Sequence, residues 1–199
     1  MTKNIGGVIL AGGLSRRMGT PKMLLPWGQT TVLGQMVATF SRAGVKEILV
    51  ITGGARQLVE AEVDRLSGEF NLRQVHNPRY ESGEMLSSLQ HGLAFLGSEL
   101  DAALIGLGDQ PQLSLDSVLK VVSAGESPAA KLVVPSFNMR RGHPWLVQRE
   151  YWDEIRALEP PLTLRNFLSA RAEEILYVET DQTILKDLDT PEEYQREKP

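Results

Sequence analysis

The sequence predicts an α/β protein: a mostly parallel central sheet with helices on both faces, a three-layer α/β/α arrangement. Three observations carry that expectation. Short apolar runs rich in β-branched residues recur at Ile5–Ala11, Lys46–Thr52 and Asp101–Leu107, and continuous runs of this kind suit strands buried on both faces. Segments with helical spacing of apolar residues lie between them, the alternation that builds crossover units. Two strands also run straight into paired glycines, Gly12-Gly13 and Gly53-Gly54, as expected where backbone must come close to a ligand or to another backbone.

Taken in order, Ile5–Ala11 is the first strand and Thr31–Ala43 an apolar helix. Lys46–Thr52 is the second strand, and Gln57–Leu66 a helix with Leu58, Val59, Val63 and Leu66 on one side. Asn71–His76 reads as a short strand, Asn77–Glu84 as a polar loop and Met85–Leu96 as a helix. The buried-looking strand Asp101–Leu107 leads through a turn to a helix over Leu115–Ser123. The second half is less regular, with a strand at Lys131–Pro135, a hairpin arm at Pro144–Val147 and helices at Tyr151–Leu158 and Leu164–Arg171. A strand at Ile175–Val178, the segment Leu185–Leu188 and a last helix close the chain. Thr190 caps that helix, with Pro191 at its first position and Glu193 in reach of a capping box.

The 199 residues, 42% hydrophobic, suffice for one good core. With no repeat, low-complexity stretch or linker in view, one domain spanning 1–199 is expected. A formal net charge of −4 argues against a general nucleic-acid binder, which needs a basic face. The absence of Cys excludes a disulfide framework, a thiolate metal site and a cysteine nucleophile, and is compatible with a reducing cytoplasm. No apolar run is long enough to span a bilayer, and the N-terminus lacks the blocks of a signal peptide. A cytoplasmic protein with neither nucleic-acid nor membrane partners is the expectation.

The most informative segment is Leu10-Ala11-Gly12-Gly13-Leu14-Ser15-Arg16-Arg17-Met18-Gly19-Thr20-Pro21-Lys22. Paired glycines remove the Cβ atoms that would keep a ligand from the backbone, so successive N–H groups can converge on phosphate oxygens. Arg17 offers a planar fork for phosphate, while Lys22 is a movable point charge on a loop, with little packing role. The Walker pattern does not fit, since five residues separate Gly13 from Gly19 where it needs four, and the segment does not spell Gly-x-Gly-x-x-Gly.

Gly108-Asp109-Gln110-Pro111 follows a strand and so puts a carboxylate at the C-terminal edge of the sheet, where ligands of open α/β sheets bind. An isolated Asp there is ordinarily a turn former; opposite a cationic phosphate loop it becomes a candidate ligand for Mg²⁺, which is held by one or two carboxylates with substrate phosphates and water. Asp187 and Asp189 stand at alternate positions before Thr190-Pro191-Glu192-Glu193, and on a strand would point the same way. Gly83, Ser87 and Ser88 border the start of a helix, where a capping role competes with contact to a base or phosphate. Arg140-Arg141-Gly142-His143-Pro144 precedes a strand, and its side chains could be a solvated turn or a phosphate-binding group.

Leu-Ala-Gly-Gly-x-Ser-x-Arg-Met-Gly-x-x-Lys resembles the signature loop of the nucleotidyltransferases of the glycosyltransferase-A-like fold, and most closely the MobA-like molybdenum cofactor cytidylyl- and guanylyltransferases. The resemblance covers nearly the whole chain, through Gly-Asp-Gln-Pro, Arg-Gly-His-Pro and Asp-x-Asp-Thr-Pro-Glu-Glu. It implies a Rossmann-like nucleotide-diphospho-sugar transferase fold, with a nucleotide-binding half at 1–125 and an acceptor half at 126–199. It further implies transfer of CMP or GMP from CTP or GTP to the phosphate of a molybdopterin-type acceptor, with Mg²⁺ as cofactor and molybdoenzyme maturation proteins as partners. Under that reading Leu10, Ala11, Gly12, Gly13, Ser15, Arg17, Lys22, Gly83 and Ser87 bind nucleotide, and Arg17, Lys22 and Asp109 are catalytic. Asp109 and Asp189 hold metal; Arg141, His143 and Asp187 meet the acceptor. Gly12 resembles the guanylyl branch, but Gly-Asp-Gln-Pro and Arg-Gly-His-Pro resemble the cytidylyl branch, so CTP is favoured. A sugar-phosphate or polyol-phosphate acceptor, or a non-enzymatic nucleotide-binding protein on the same fold, are the competing readings.

Overall fold

β1 (Ile5–Ala11) lies inside an eight-stranded sheet and is its organising strand. The computed structural model describes residues 2–13, 15, 18–82 and 84–199. After β1 the chain makes a 3-10 turn at Lys22–Leu24 and a two-stranded ribbon, β2 (Pro26–Trp27) with β3 (Thr30–Thr31). It continues through α1 (Val32–Arg42), β4 (Ile48–Thr52), α2 (Arg56–Leu66), β5 (Leu72–His76), α3 (Glu84–Phe95), β6 (Ala102–Leu107) and α4 (Leu115–Gly125). The rest comprises β7 (Leu132–Phe137), β8 (Arg140–Arg141), β9 (Trp145–Gln148), α5 (Trp152–Arg156), α6 (Leu164–Ala170), β10 (Ile175–Glu179) and α7 (Pro191–Glu197). The sheet order is β10-β7-β9-β6-β1-β4-β5, with β8 paired to β7. β1 runs parallel to both β4 and β6, β5 parallel to β4, and β10 parallel to β7. The mostly parallel α/β class expected from the sequence is the one observed.

Alternation along β1 sends Val8 and Leu10 into one core and Ile9 and Ala11 into the other, because successive side chains of a strand face opposite ways. On one face Met36 and Phe40 of α1, Val59 and Val63 of α2, and Val118 and Val121 of α4 cover the sheet. On the other, Leu89 and Leu93 of α3, Ile155 of α5 and Phe167 of α6 do so. Burial of each such side chain contributes about 1.5–3 kcal/mol. Leu58 departs from the expected stripe on α2: it is exposed, whereas Val59, Val63 and Leu66 are buried, since the i, i+4, i+7 spacing of those three leaves Leu58 a quarter-turn outside.

Two further departures bear on the site. The expected hairpin arm is β9, which pairs antiparallel with both β7 and β6 and thereby stitches the irregular half to the parallel half. The tight β7–β8 turn uses positive φ at Asn138 (50°) and Met139 (62°), a geometry that suits Asn but gives no sequence signal at Met. The second departure is at Asp187 and Asp189. No strand carries them: Gln182–Leu185 is a 3-10 turn and the chain up to Thr190 is irregular, so strand alternation is not what orients these carboxylates. Leu188 between them is fully buried with Met18, Trp27, Val32 and Tyr194, and its N–H donates to the Asp109 carbonyl at 3.0 Å. The Tyr194 hydroxyl donates to the Pro26 carbonyl at 2.7 Å. Thr190 and Glu193 form the expected capping box at the start of α7, with Pro191 in its first turn.

The ends of β1 and β4 meet backbone to backbone. A Cβ at Gly53 would sit 2.2 Å from the Gly12 carbonyl oxygen and 2.6 Å from Gly12 Cα, and the Gly54 N–H donates to that same carbonyl at 3.3 Å. A Cβ at Gly13 would meet nothing within 4 Å among the described residues. Gly53→Ala is therefore expected to destabilise the fold by about 1–3 kcal/mol through overpacking, with Gly13→Ala within about 0.5 kcal/mol of the parent. Urea unfolding of the two variants checks this, and equal midpoints would contradict it.

Candidate functional site

Strand order reverses at β1: the next strand, β4, lies on one side and β6 on the other. Such a switch point opens a crevice beyond the carboxyl ends of the strands. The glycine loop after β1 and Asp109 after β6 both enter it. Leu10 and Ala11 are buried at the end of the strand, Gly12 is half-buried and Gly13 is exposed. Ser15 (φ 47°) and Gly19 (φ 65°) turn the loop back. The Met18 N–H donates to the Ser15 carbonyl at 3.0 Å, and the Lys22 N–H donates to Ser15 Oγ at 3.2 Å. Arg17 and Gly83, both expected at this site, lie outside the described residues.

The anchored backbone of Lys22 sends its side chain inward. Lys22 is buried, and its Nζ donates to Asp109 Oδ2 in a close ion pair and to Asp189 Oδ1 at 3.3 Å. A loop lysine with little packing role was expected; instead, one ammonium ties together the β1 loop, the β6 edge and the segment before α7. Burial works against the charge, but the attraction of Asp109, its hydrogen bond and then Asp189 outweigh it and raise the Lys22 pKa above the ordinary 10.5. The ammonium is thus fully charged at neutral pH. Asp189 is oriented from behind, since Glu193 Oε2 accepts from its N–H at 2.8 Å.

Asp187 takes a different part. Gln110, itself buried, donates from Nε2 to Asp187 Oδ1 at 2.8 Å. Although Asp187 has an exposed edge, desolvation first and then the charge of Asp109 push its carboxyl up from 3.8, against the opposing pull of Gln110 and Lys22. Asp187 and Asp189 line a cavity of about 300 Å³ with Gln112, Lys186, Glu193 and Glu197. Two carboxylates, Asp109 and Asp189, converge on a single cation, and among the described residues no group of three or more His, Asp or Glu closes around one point. A hard-oxygen pair of that size fits a divalent ion that completes its shell with phosphate oxygens and water.

Ser87 and Ser88 are buried in the first turns of α3: Asn77, fully buried, donates from Nδ2 to Ser87 Oγ at 2.8 Å and to Ser88 Oγ at 3.1 Å. Ser88 is the one that abuts the glycine loop, its Oγ lying 3.4 Å from where a Gly12 Cβ would stand. The larger cavity, about 700 Å³, is lined by Arg141, His143, Trp145, Met85, Leu162 and Arg165 among others. There the His143 ring stacks on Trp145 at 4.7 Å between centroids and 16° between planes. Burial pushes the His143 imidazole down to about 4, and among the described residues its buried Nε2 has no hydrogen-bond partner, so at neutral pH it is an uncharged hydrogen-bonding group. Arg141 is exposed, with its guanidinium 5.3 Å over the Tyr177 ring.

The expected residues therefore divide into a charged cluster, Lys22 with Asp109 and Asp189, and an aromatic cavity holding Arg141 and His143 from which Asp187 is separate. Sequence reading passed over Gln110, Asn77 and Trp145. Each sits inside or beside a motif already singled out, and a buried polar side chain next to a charged one is a signal that it holds a neighbour in place.

Residues 7–175 match the MobA-like NTP transferase domain. The chain is 30% identical over 189 residues to the molybdenum cofactor cytidylyltransferase of Escherichia coli (strain K12), covering 94% of this chain and 92% of that one. It is 33% identical over 147 residues to the molybdenum cofactor guanylyltransferase of Mesorhizobium japonicum, covering 72% and 66%. Rv0371c of Mycobacterium tuberculosis H37Rv superposes with a TM-score of 0.82 at 28% identity, covering 98% of each chain; its complex with manganese gives 0.77 at 26%, again over 98% of each. With a glycine loop and two carboxylates meeting one lysine at the switch point of a parallel sheet, and with these likenesses running along the chain, this protein belongs to the MobA-like NTP transferase family and is a nucleotidyltransferase of that kind.

Proposed function

We propose that the protein transfers an NMP, with CMP favoured over GMP, from a nucleoside triphosphate to the phosphate of a molybdopterin-type acceptor, releasing pyrophosphate. The observation that carries this reading is the convergence of Lys22, Asp109 and Asp189 beside the open backbone of Gly13. Residues 1–125 form the nucleotide half and 126–199 the acceptor half. The amides of Gly12 and Gly13, with Arg17, hold the terminal phosphates, and Ser15 keeps the loop closed on Lys22. Leu10 and Ala11 end the strand that carries this loop; Gly83 and Ser87 border the base. A phosphate oxygen of the acceptor attacks the α-phosphorus and the pyrophosphate oxygen leaves, with Lys22 stabilising charge on the α-phosphoryl oxygens. An acceptor that is already anionic needs no strong base, so positioning does most of the work.

Asp109 and Asp189 would hold Mg²⁺, which when bound neutralises triphosphate charge; the manganese complex of Rv0371c supports a divalent ion in this fold. On the acceptor side, the cavity of about 700 Å³ has the size and the aromatic wall of a small-molecule site. Arg141 stands at it as the cation for the acceptor phosphate, and neutral His143 offers a hydrogen bond without charge. Asp187, at the smaller cavity with Asp189, is a further contact for the acceptor. The preference for CTP draws support from the cytidylyltransferase likeness, which spans 94% of the chain, against 72% for the guanylyltransferase.

The direct test is pyrophosphate release by purified protein with Mg²⁺, each nucleoside triphosphate in turn, and a panel of molybdopterin, sugar-phosphate and polyol-phosphate acceptors. Release with CTP and molybdopterin is expected; release only with a sugar or polyol phosphate would reject the acceptor. Lys22→Ala is expected to lower kcat by roughly 100-fold or more, the scale of losing one donor to a developing oxyanion. Unchanged turnover would remove Lys22 from the α-phosphate.

Asp187→Asn is expected to raise the nucleotide-free protein's Tm at pH 7. Because the folded-state pKa of Asp187 is raised, the folded protein binds the extra proton more tightly, and stability is lost as pH rises through that value. The difference between variant and parent should therefore vanish below the ordinary carboxylate value of 3.8, where Asp187 is protonated in both states. Thermal melts from pH 3 to pH 7 check the sign, and a variant that melts lower at pH 7 would refute it.

A further inference from the structure

We propose that Lys22 is the resident counterion of the two-carboxylate site: in the nucleotide-free protein its ammonium occupies the position between Asp109 and Asp189, and a divalent cation enters only as nucleotide draws Lys22 away. The inference rests on the reading of Asp109 and Asp189 as the metal-holding pair. Its grounds are geometric. One Nζ reaches an oxygen of both carboxylates, in a close pair with Asp109 and at 3.3 Å from Asp189, so a dication bridging the same oxygens must displace it or share them against direct repulsion. The pair is well held: Lys22 is buried, and both partners are fixed from behind through their own backbone groups. Asp109 lends its carbonyl to Leu188, and Asp189 has its N–H on Glu193.

The structure also provides for the exchange. The backbone of Lys22 is tied down at its N–H by Ser15 and at its carbonyl by the Leu25 N–H at 3.2 Å, so the moving part is the four-carbon stem alone. That stem leaves a loop whose glycine backbone lies open, and a triphosphate seated there gives the ammonium a new anion to follow. Lys22 then has two anionic partners in sequence, the empty carboxylate pair and the phosphoryl oxygens. Metal and nucleotide become thermodynamically coupled, each raising the other's affinity by the same factor. Between turnovers the lysine also holds the carboxylates in register, so that they need not reorganise against their mutual repulsion.

The test measures Mn²⁺ binding by electron paramagnetic resonance of the free ion, with and without a non-hydrolysable CTP analogue, in the parent, Lys22→Met, Lys22→Gln and Asp109→Asn. Without nucleotide, Lys22→Met or Lys22→Gln is expected to bind Mn²⁺ about tenfold tighter than the parent, the scale of one charge-assisted hydrogen bond no longer competing. The analogue is expected to tighten Mn²⁺ binding in the parent by a larger factor than in either variant. Equal Mn²⁺ affinity in the parent and in both lysine variants, with Asp109→Asn still weakening it, would overturn the inference and leave the metal site standing. Mn²⁺ binding indifferent to Asp109→Asn, with and without the analogue, would overturn the metal-site reading itself and the inference with it. The parent alone supplies a second readout should a lysine variant fail to fold: an Mn²⁺ affinity unaffected by the analogue excludes the exchange.

Discussion

β1 held in parallel register between β4 and β6 is the constraint from which the rest of the site follows. Its pairing with β6 runs from Ile5 opposite Ala102 to Leu10 opposite Leu107, and with β4 from Gly7 opposite Ile48 to Ala11 opposite Thr52. Three parallel strands in this register end at one level, so the chain turns of all three emerge on one edge. Gly12 and Gly53 touch there through backbone atoms, an approach that a Cβ at position 53 would block. The Gly108–Asp109 turn leaves β6 beside them, its Gly108 N–H bonded to the Leu10 carbonyl at 3.0 Å. The glycine loop takes its starting point from the sheet: it begins directly after the last rung of the ladder, Ala11 opposite Thr52.

The third side of the site is brought in by packing, from far along the chain. Leu188 inserts into a small cluster with Met18, Trp27, Val32 and Tyr194, and the Tyr194 hydroxyl ties α7 to the ribbon at Pro26. Burial of Leu188 fixes where its neighbours must stand. Asp187 is caught by Gln110 on one side and Asp189 meets Lys22 on the other. The apolar residue does the placing and the acidic ones are carried with it. The cluster lies apart from the two large cores, so its burial acts on the placement of this segment as well as on stability.

Much of this was legible in the sequence, for reasons that can be named. Buried parallel strands are continuous apolar runs, so β1, β4 and β6 stood out, and capping chemistry marked α7 to the residue. Lys22 and Asp109 could be set together because loops at strand ends converge in any open parallel sheet, whereas Asp189 entered through the resemblance of Asp-x-Asp-Thr-Pro-Glu-Glu. What escaped was tertiary. Strand alternation could not orient Asp187 and Asp189, because their segment pairs with no strand and is set by Leu188. Ser87 and Ser88 read as hydroxyls at a helix start, open to base or phosphate, whereas Asn77 donates to both. Trp145 carries no motif of its own, and its stacking on His143 depends on β9 lying between β6 and β7, a pairing that no local pattern encodes.

The electrostatics of this edge turn on what surrounds Lys22. Its ammonium meets Asp109 and Asp189, while Asp187 stands apart on Gln110, its pKa raised by desolvation first and then by the charge of Asp109. Moving that ammonium away leaves two neighbouring carboxylates without one of the charges that draws them together, and like charges at short range in a partly buried site oppose each other. The segment before α7 is therefore held at the β6 edge in two ways at once: Leu188 packs it there, and Lys22 binds the carboxylate that follows. Apolar burial sets the position of the segment, and charge pairing then sets the direction in which its Asp189 faces.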